Sequence, residues 1–256
     1  MIITAFQLPV AGYALAKDAG INTVWGGEPA LCEKAGLQCV PALSANGLHP
    51  SQSSSYFYEV LEQGSVIGLS LKEDLQVSEL SAIEETFVQL KNAYPDAVFP
   101  GLVSATYTRM LDYLGVESIE EYYRAFAQLC PSATPMLCHY PFHWMAEDDH
   151  NNLDDIVEYD RNLAMMESIF PSWWAWVQVS AHSHYPDADG VPEWTFDELG
   201  EAGVIFQVDK LVAAGCSGIG YFCWGPLSEG PGIVNADGSP SKYFSTVQGI
   251  NRELGR

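Results

Sequence analysis

Three ionisable residues, Lys72, Glu73 and Asp74, follow directly on the apolar run SVIGLSL at 65–71. An acid at the end of a buried strand is desolvated by the walls around it. Desolvation raises a carboxyl pKa toward neutrality, which suits a general acid. Lys72 opposes that shift where it lies close, because a cation favours the carboxylate. The same acids also fit the first turn of a following helix, where they complement its dipole. Most two-group hydrolytic chemistry needs a second carboxylate, and Glu28 in VWGGEP and Asp74 are the candidates. Glu28 precedes Pro29, so it fits a helix start equally well.

Aromatic residues gather where apolar runs end: Trp25, Tyr140, Trp144 and Trp224. A ring combines apolar area with a polar edge, which matches the C–H faces and hydroxyls of a sugar. Each ring alone fits a core, but several at strand ends point to a groove. Gln178 closes WWAWVQ, and His139 stands beside Tyr140. The candidate substrate-binding set is therefore Trp25, Lys72, His139, Tyr140, Gln178 and Trp224, with carbohydrate as the expected partner.

His182 and His184 have the spacing of a metal pair, but only His139 offers itself as a third ligand, and no metal or cofactor is expected. No Ser or Cys sits in a nucleophile elbow. Cys138 and His139 are neighbours on one strand, so they point to opposite faces and form no dyad.

These residues need a frame, and the punctuation of the chain describes one. A helical stretch ends in glycine and a strand follows at Gly20, Gly36, Gly64 and Gly215. Glycine suits the left-handed position that closes a helix. Proline serves the same stopping role in NAYPDAVF, LCPSATP and IFPSWWAW. With the N-terminal run, eight strands are predicted near 2–7, 23–25, 38–43, 65–71, 97–103, 135–140, 173–180 and 218–224. They are short apolar runs, as parallel strands covered on both faces should be. Helices are predicted over 77–93, 153–170, 195–214 and 241–254. Strand and helix alternate with no switch to hairpins, which gives an α/β fold. Eight units favour a single-domain (β/α)8 (TIM) barrel over residues 1–256, since about 250 residues is typical of that fold. No G-x-G-x-x-G or G-x-x-x-x-G-K-[ST] supports an open nucleotide-binding sheet. The long connections 143–152, 181–194 and 225–239 all follow strands, the side on which barrel chemistry is placed.

Composition narrows the partners. Thirty-three Asp and Glu against eleven Lys and Arg give a formal charge of −22, which repels nucleic acid and anionic membranes. No run reaches the ~18–20 apolar residues of a membrane span. MIITAFQLP reads as a strand rather than a signal peptide, so a cytoplasmic location is the default expectation. Six scattered cysteines without a C-x-x-C pair fit free thiols in a reducing compartment. The sequence leaves the oligomeric state open.

Several stretches resemble glycoside hydrolases with catalytic (β/α)8 barrels, many known only from genomes. GLSLKED stands where such strands commonly end in D-E-P, and CHYP stands for D-x-Y-P. WVQVS with PEWTFDEL, AAGCSGIGYFCWG and DGSPSKYFSTVQGINREL resemble their seventh strand, eighth strand and closing helix. The resemblance implies a glycosidase with Glu73 as general acid. Lys72 replaces the Asp of D-E-P, which argues against assistance by a substrate acetamido group. Cys138 replaces the Asp of D-x-Y-P. Gln178 stands where a large retaining clan has its nucleophilic Glu, and a glutamine cannot form a glycosyl ester. Two other readings stay open: a glycan-binding barrel with a degenerate site, and a metal-dependent hydrolase or isomerase.

Overall fold

The computed structural model describes residues 1–255 except 7, 42–53, 71–74, 107–109, 146–151, 187–191, 197–198 and 228–229. The strands are β1 Ile2–Ala5, β2 Thr23–Trp25, β3 Gln38–Val40, β4 Pro100–Ser104, β5 Thr134–Cys138, β6 His143–Met145, β7 Trp174–Gln178, β8 His182–Pro186, β9 Pro192–Phe196 and β10 Gly218–Phe222. The helices are α1 Tyr13–Asp18, α2 Pro29–Ala35, α3 Ser54–Leu61, α4 Val77–Ala93, α5 Leu111–Leu114, α6 Ile119–Leu129, α7 Asn152–Ile169, α8 Glu201–Ala213 and α9 Phe244–Leu254. The chain divides into two compact units. One comprises 1–22, 139–164 and 175–256, and the other 23–138 and 165–174.

In the second unit every strand pairing is parallel. β2 pairs with β3, and β4 with β5, from Pro100↔Thr134 to Ser104↔Cys138. Among the described residues the predicted fourth strand is present as two bridges, Cys39↔Val66 and Gly68↔Val98, with backbone hydrogen bonds to both neighbouring segments. A Cβ on Gly68 would lie 1.8 Å from the Val98 carbonyl oxygen, so only glycine permits this backbone approach. Helices cover these strands with aromatic rings. Phe87 of α4 stacks on Phe99 with centroids 4.2 Å apart. Tyr123 of α6 donates its hydroxyl to the Ser104 carbonyl at 2.7 Å. Ser118 caps α6 by accepting from the Glu121 amide.

In the first unit β1, β10 and β7 lie side by side, with β1 and β10 parallel from Ile2↔Gly218 to Ala5↔Tyr221. α9 closes over β10 through buried polar groups. Tyr221 donates its hydroxyl to Asn251 Oδ1 at 2.7 Å, and Asn251 Nδ2 donates to the Ala19 carbonyl at 2.8 Å. Burial raises the Tyr221 hydroxyl pKa above its ordinary value.

Helix stops follow the punctuation at most joints. Gly20, Gly36 and Gly215 have φ of 81°, 65° and 77°, whereas Gly64 is not among the positive-φ glycines. Pro95, Pro131 and Pro171 stand just beyond the ends of α4, α6 and α7.

Two expectations need correction. The chain does switch to antiparallel pairing: β6, β9 and β8 form a three-stranded antiparallel sheet, with Trp144↔Thr195 and Ser183↔Thr195 in register. Its strands come from the long connections after β5 and β7, where enough chain is free to pair with itself. The helix expected over 195–214 begins only at Glu201, because 192–196 belongs to β9. The aromatic and β-branched residues of PEWTF suit a strand.

Candidate functional site

Side chains on a strand alternate between faces, and the alternation sorts the candidates. On one set of positions in the first unit, β10 and the residues after β5 turn toward helices. Tyr221 reaches Asn251 on α9, and His139 meets Tyr159 of α7 edge-on with centroids 5.0 Å apart. Burial pushes the Tyr159 hydroxyl pKa well above its ordinary value. His139 is therefore on the helix-facing side, buried with an aromatic neighbour.

The opposite set converges in an aromatic cluster just past β1 and β5, at the C-terminal end of β10 and at the middle of β7. Phe222 stacks on Phe6 at 5.1 Å and on Tyr140 at 5.2 Å, both with interplanar angles of 27°. Trp176 meets Phe6 and Phe222 edge-on at 5.9 and 6.4 Å. Phe6 and Phe222 are half-buried, while Trp176 and Tyr140 are buried. Sequence reasoning singles out Tyr140 but misses Phe6, Trp176 and Phe222. The signal was the two-residue period: Phe6 follows Thr4 at the end of β1, and Phe222 precedes Trp224 by two.

Gln178 ends β7 within the same unit and is fully buried. Its side-chain Nε2 donates to the Phe142 carbonyl at 3.1 Å. Its backbone N–H donates to Gln207 Oε1 at 2.9 Å, and its carbonyl accepts from Gln207 Nε2 at 3.1 Å. Gln207, on α8, was not singled out from sequence because a helical glutamine carries no motif.

Trp224 lies just past β10 and is 2% exposed, its amide donating to the Phe6 carbonyl. A Cβ on Gly12 would come within 2.9 Å of Trp224 Nε1, so the indole packs against the turn before α1. Buried there, it offers no open face. Cys223, between the two aromatics, donates its thiol to the Gly225 carbonyl, and burial pushes its pKa up to about 12.

Trp25 and Glu28 belong to the other unit. Trp25 ends β2 half-buried, and Glu28 is exposed at the N-cap position of α2, its carbonyl accepting from the Leu31 and Cys32 amides. Lys72, Glu73 and Asp74 lie outside the described residues. His182 and His184 stand on β8 opposite Phe196 and Trp194 in the backbone register, and Trp144 is on β6. Among the described residues no group of three or more His, Cys, Asp or Glu could hold a metal ion. No helix among them is long and apolar enough to cross a membrane.

Parallel strands alternating with helices describe an architecture found in solved structures. The Bacteroides uniformis β-glucuronidase is similar over 98% of this chain and 35% of its own, with 12% identity and a TM-score of 0.56. The catalytic domain of a hyperthermophilic chitinase from Pyrococcus furiosus is similar over 98% of this chain and 95% of its own, at 10% identity and a TM-score of 0.58. An exo-β-1,4-mannosidase from Opitutaceae bacterium strain TAV5 is similar over 99% and 59%, at 12% identity and a TM-score of 0.60. The fold is a (β/α)8 barrel. This chain thus spans about a third of the glucuronidase. No protein-family model matches the chain, and no curated protein does. In a barrel the C-terminal ends of the strands form the face that carries chemistry. Phe6, Tyr140, Gln178 and Phe222 lie at or just past such ends.

Proposed function

We propose that this barrel cleaves O-glycosidic bonds of a poly- or oligosaccharide. The observation that carries the reading is the cluster of Phe6, Tyr140 and Phe222 at the strand ends, with Trp176 against Phe6 and Phe222. It offers half-buried rings for the C–H face of a sugar, on a fold shared with a glucuronidase, a chitinase and a mannosidase. Glu73 is the general acid that protonates the departing oxygen, with Asp74 or Glu28 as the second carboxylate. Trp25, Lys72, Tyr140 and Gln178 make up the substrate-binding set, while the buried His139 and Trp224 of the sequence-based set pack behind it instead of touching substrate. No metal or cofactor takes part, and the acidic surface disfavours polyanionic glycans.

Reducing-sugar release from a panel of neutral glycans tests this. Glu73→Gln is nearly isosteric and should lower turnover by at least the ~10²-fold that general acid catalysis supplies. Near-normal turnover in that variant removes Glu73 from the mechanism.

A second reading is favoured by the amide at the end of β7, where a retaining enzyme of this architecture would need a carboxylate: the barrel binds glycans without cutting them. Binding by calorimetry with no release from any glycan of the panel would establish it.

A further inference from the structure

Gln207 uses its whole amide at one place. One N–H of Nε2 meets the Gln178 carbonyl and the other the Gly203 carbonyl, both at 3.1 Å, while Oε1 accepts from the Gln178 amide at 2.9 Å. Gln207 is fully buried, so these bonds have no water competing for them. They saturate the backbone of the last residue of β7 just where the next two amides, Val179 and Ser180, turn to the Phe222 carbonyl. With its backbone held from α8, Gln178 directs an N–H at the Phe142 carbonyl. Only a donor fits opposite a carbonyl oxygen. An ionised carboxylate in the same place would set two acceptors about 3 Å apart in a site closed to water.

We propose that Gln207 is a positioning residue that holds the end of β7, and that position 178 calls for an uncharged hydrogen-bond donor toward the Phe142 carbonyl, so that the cleavage proposed above runs without a glycosyl ester on this strand. The inference rests on that glycosidase reading for its reaction. Water forms the new bond to the anomeric carbon as the bond to the leaving oxygen breaks. The Glu73 proton goes to the leaving oxygen, and the proton lost by water goes to the second carboxylate. One displacement inverts the anomeric centre.

Two measurements test the proposal. The first needs no substrate: urea unfolding of the wild type and of Gln178→Glu from pH 4.5 to 9. A carboxyl at 178 is expected to stay protonated in the fold, with its O–H replacing the amide donor. Its folded pKa then lies above the unfolded ~4.3. Stability is retained near pH 4.5 and lost as pH rises, by up to about tenfold in the folding constant per pH unit until the folded pKa is passed. A variant as stable as wild type at pH 9 overturns the need for an uncharged donor. If Gln178→Glu folds at no pH, the uncharged Gln178→Met decides. It should fold, and failure of both variants reduces the position to packing and overturns the proposal.

The second measurement uses whichever glycan the panel finds cleaved. Proton NMR should show an inverted product. Gln207→Met should lower kcat by about 10²-fold per folded molecule with KM hardly changed, the effect of a misplaced group. A retained anomer, or an unchanged kcat, overturns the proposal. If no glycan is cleaved, the glycosidase reading fails while the stability test still reports on position 178.

Discussion

The hydrogen bond between Tyr221 and Asn251 is a sharp test of how the last helix holds the site-bearing strand. Both residues are buried, at 0% and 3% exposure, and the hydroxyl meets Oδ1 at 2.7 Å. Tyr221→Phe removes the donor and leaves Asn251 Oδ1 facing a ring edge. The loss should be about 1–3 kcal/mol, the cost of a buried polar atom without its partner. Asn251→Leu removes more, because Asn251 also donates to the Ala19 carbonyl at 2.8 Å. It leaves two groups bare, so its cost should be roughly twice that of Tyr221→Phe. In the double variant the phenyl ring faces leucine, and only the Ala19 carbonyl is left bare. The two losses should therefore fall short of additivity by the cost of two bare groups, about 2 kcal/mol or more. Urea unfolding followed by circular dichroism, with slopes compared across the four proteins, measures each loss. Additivity within about 0.5 kcal/mol would refute the coupling and make the bond incidental to the fold.

Alkaline pH should destabilise the protein. Burial pushes the Cys39, Cys216 and Cys223 thiols up to about 12 and raises the Tyr159 and Tyr221 hydroxyls. An acid whose pKa is raised in the fold supports it below its unfolded value, near 8.5 for a thiol, and that support is lost as pH climbs toward 12. Urea midpoints should fall steadily from pH 8.5 to 11, and a flat profile contradicts the burial. Trp224→Ala should cost about 3–5 kcal/mol of stability, as a buried Trp truncation does. Phe222→Ala, half exposed, should cost less stability while weakening glycan binding by more than ~1 kcal/mol; calorimetry showing unchanged affinity moves the groove elsewhere. All six cysteines are free thiols, so titration of denatured, unreduced protein should find six and native protein should react slowly. EDTA should leave the melting temperature and any glycan release unchanged, and a loss of either on chelation would point to a bound metal.

How far the sequence could be read depended on whether a feature is local. Helix ends were legible because their causes lie within a few residues: α4 spans Val77–Ala93 as its pattern predicts, and a proline stands after α4, α6 and α7. The fourth strand was legible as a position but not as a ladder, since the Gly68–Val98 approach depends on a residue far along the chain. The antiparallel sheet was invisible because Trp144 and Thr195 pair across a helix and two strands. Tyr140 and Gln178 could be placed at strand ends because each closes an apolar run, and the end of such a run is visible in the chain itself. His139 was assigned to the substrate side when strand alternation turns it to Tyr159. Gln207 lay beyond reach because its role is created by the strand end that it meets.

The pairing of β1 with β10 has a consequence for how the molecule comes into being. Ile2 finds Gly218 as its partner, and Asn251 reaches Ala19 across 232 residues. A ribosome adds about 5–20 residues each second, so the interval between the two ends is roughly 10–50 s. Throughout it β1 is synthesised but has no β10 beside it, and Ile3 and Ala5, buried in the finished fold, remain open to other contacts. Translation speed and the occupancy of holding chaperones therefore act on this strand while its partner is still unmade. A slowed elongation before Asn251 is made lengthens its exposure without altering a single contact of the native state.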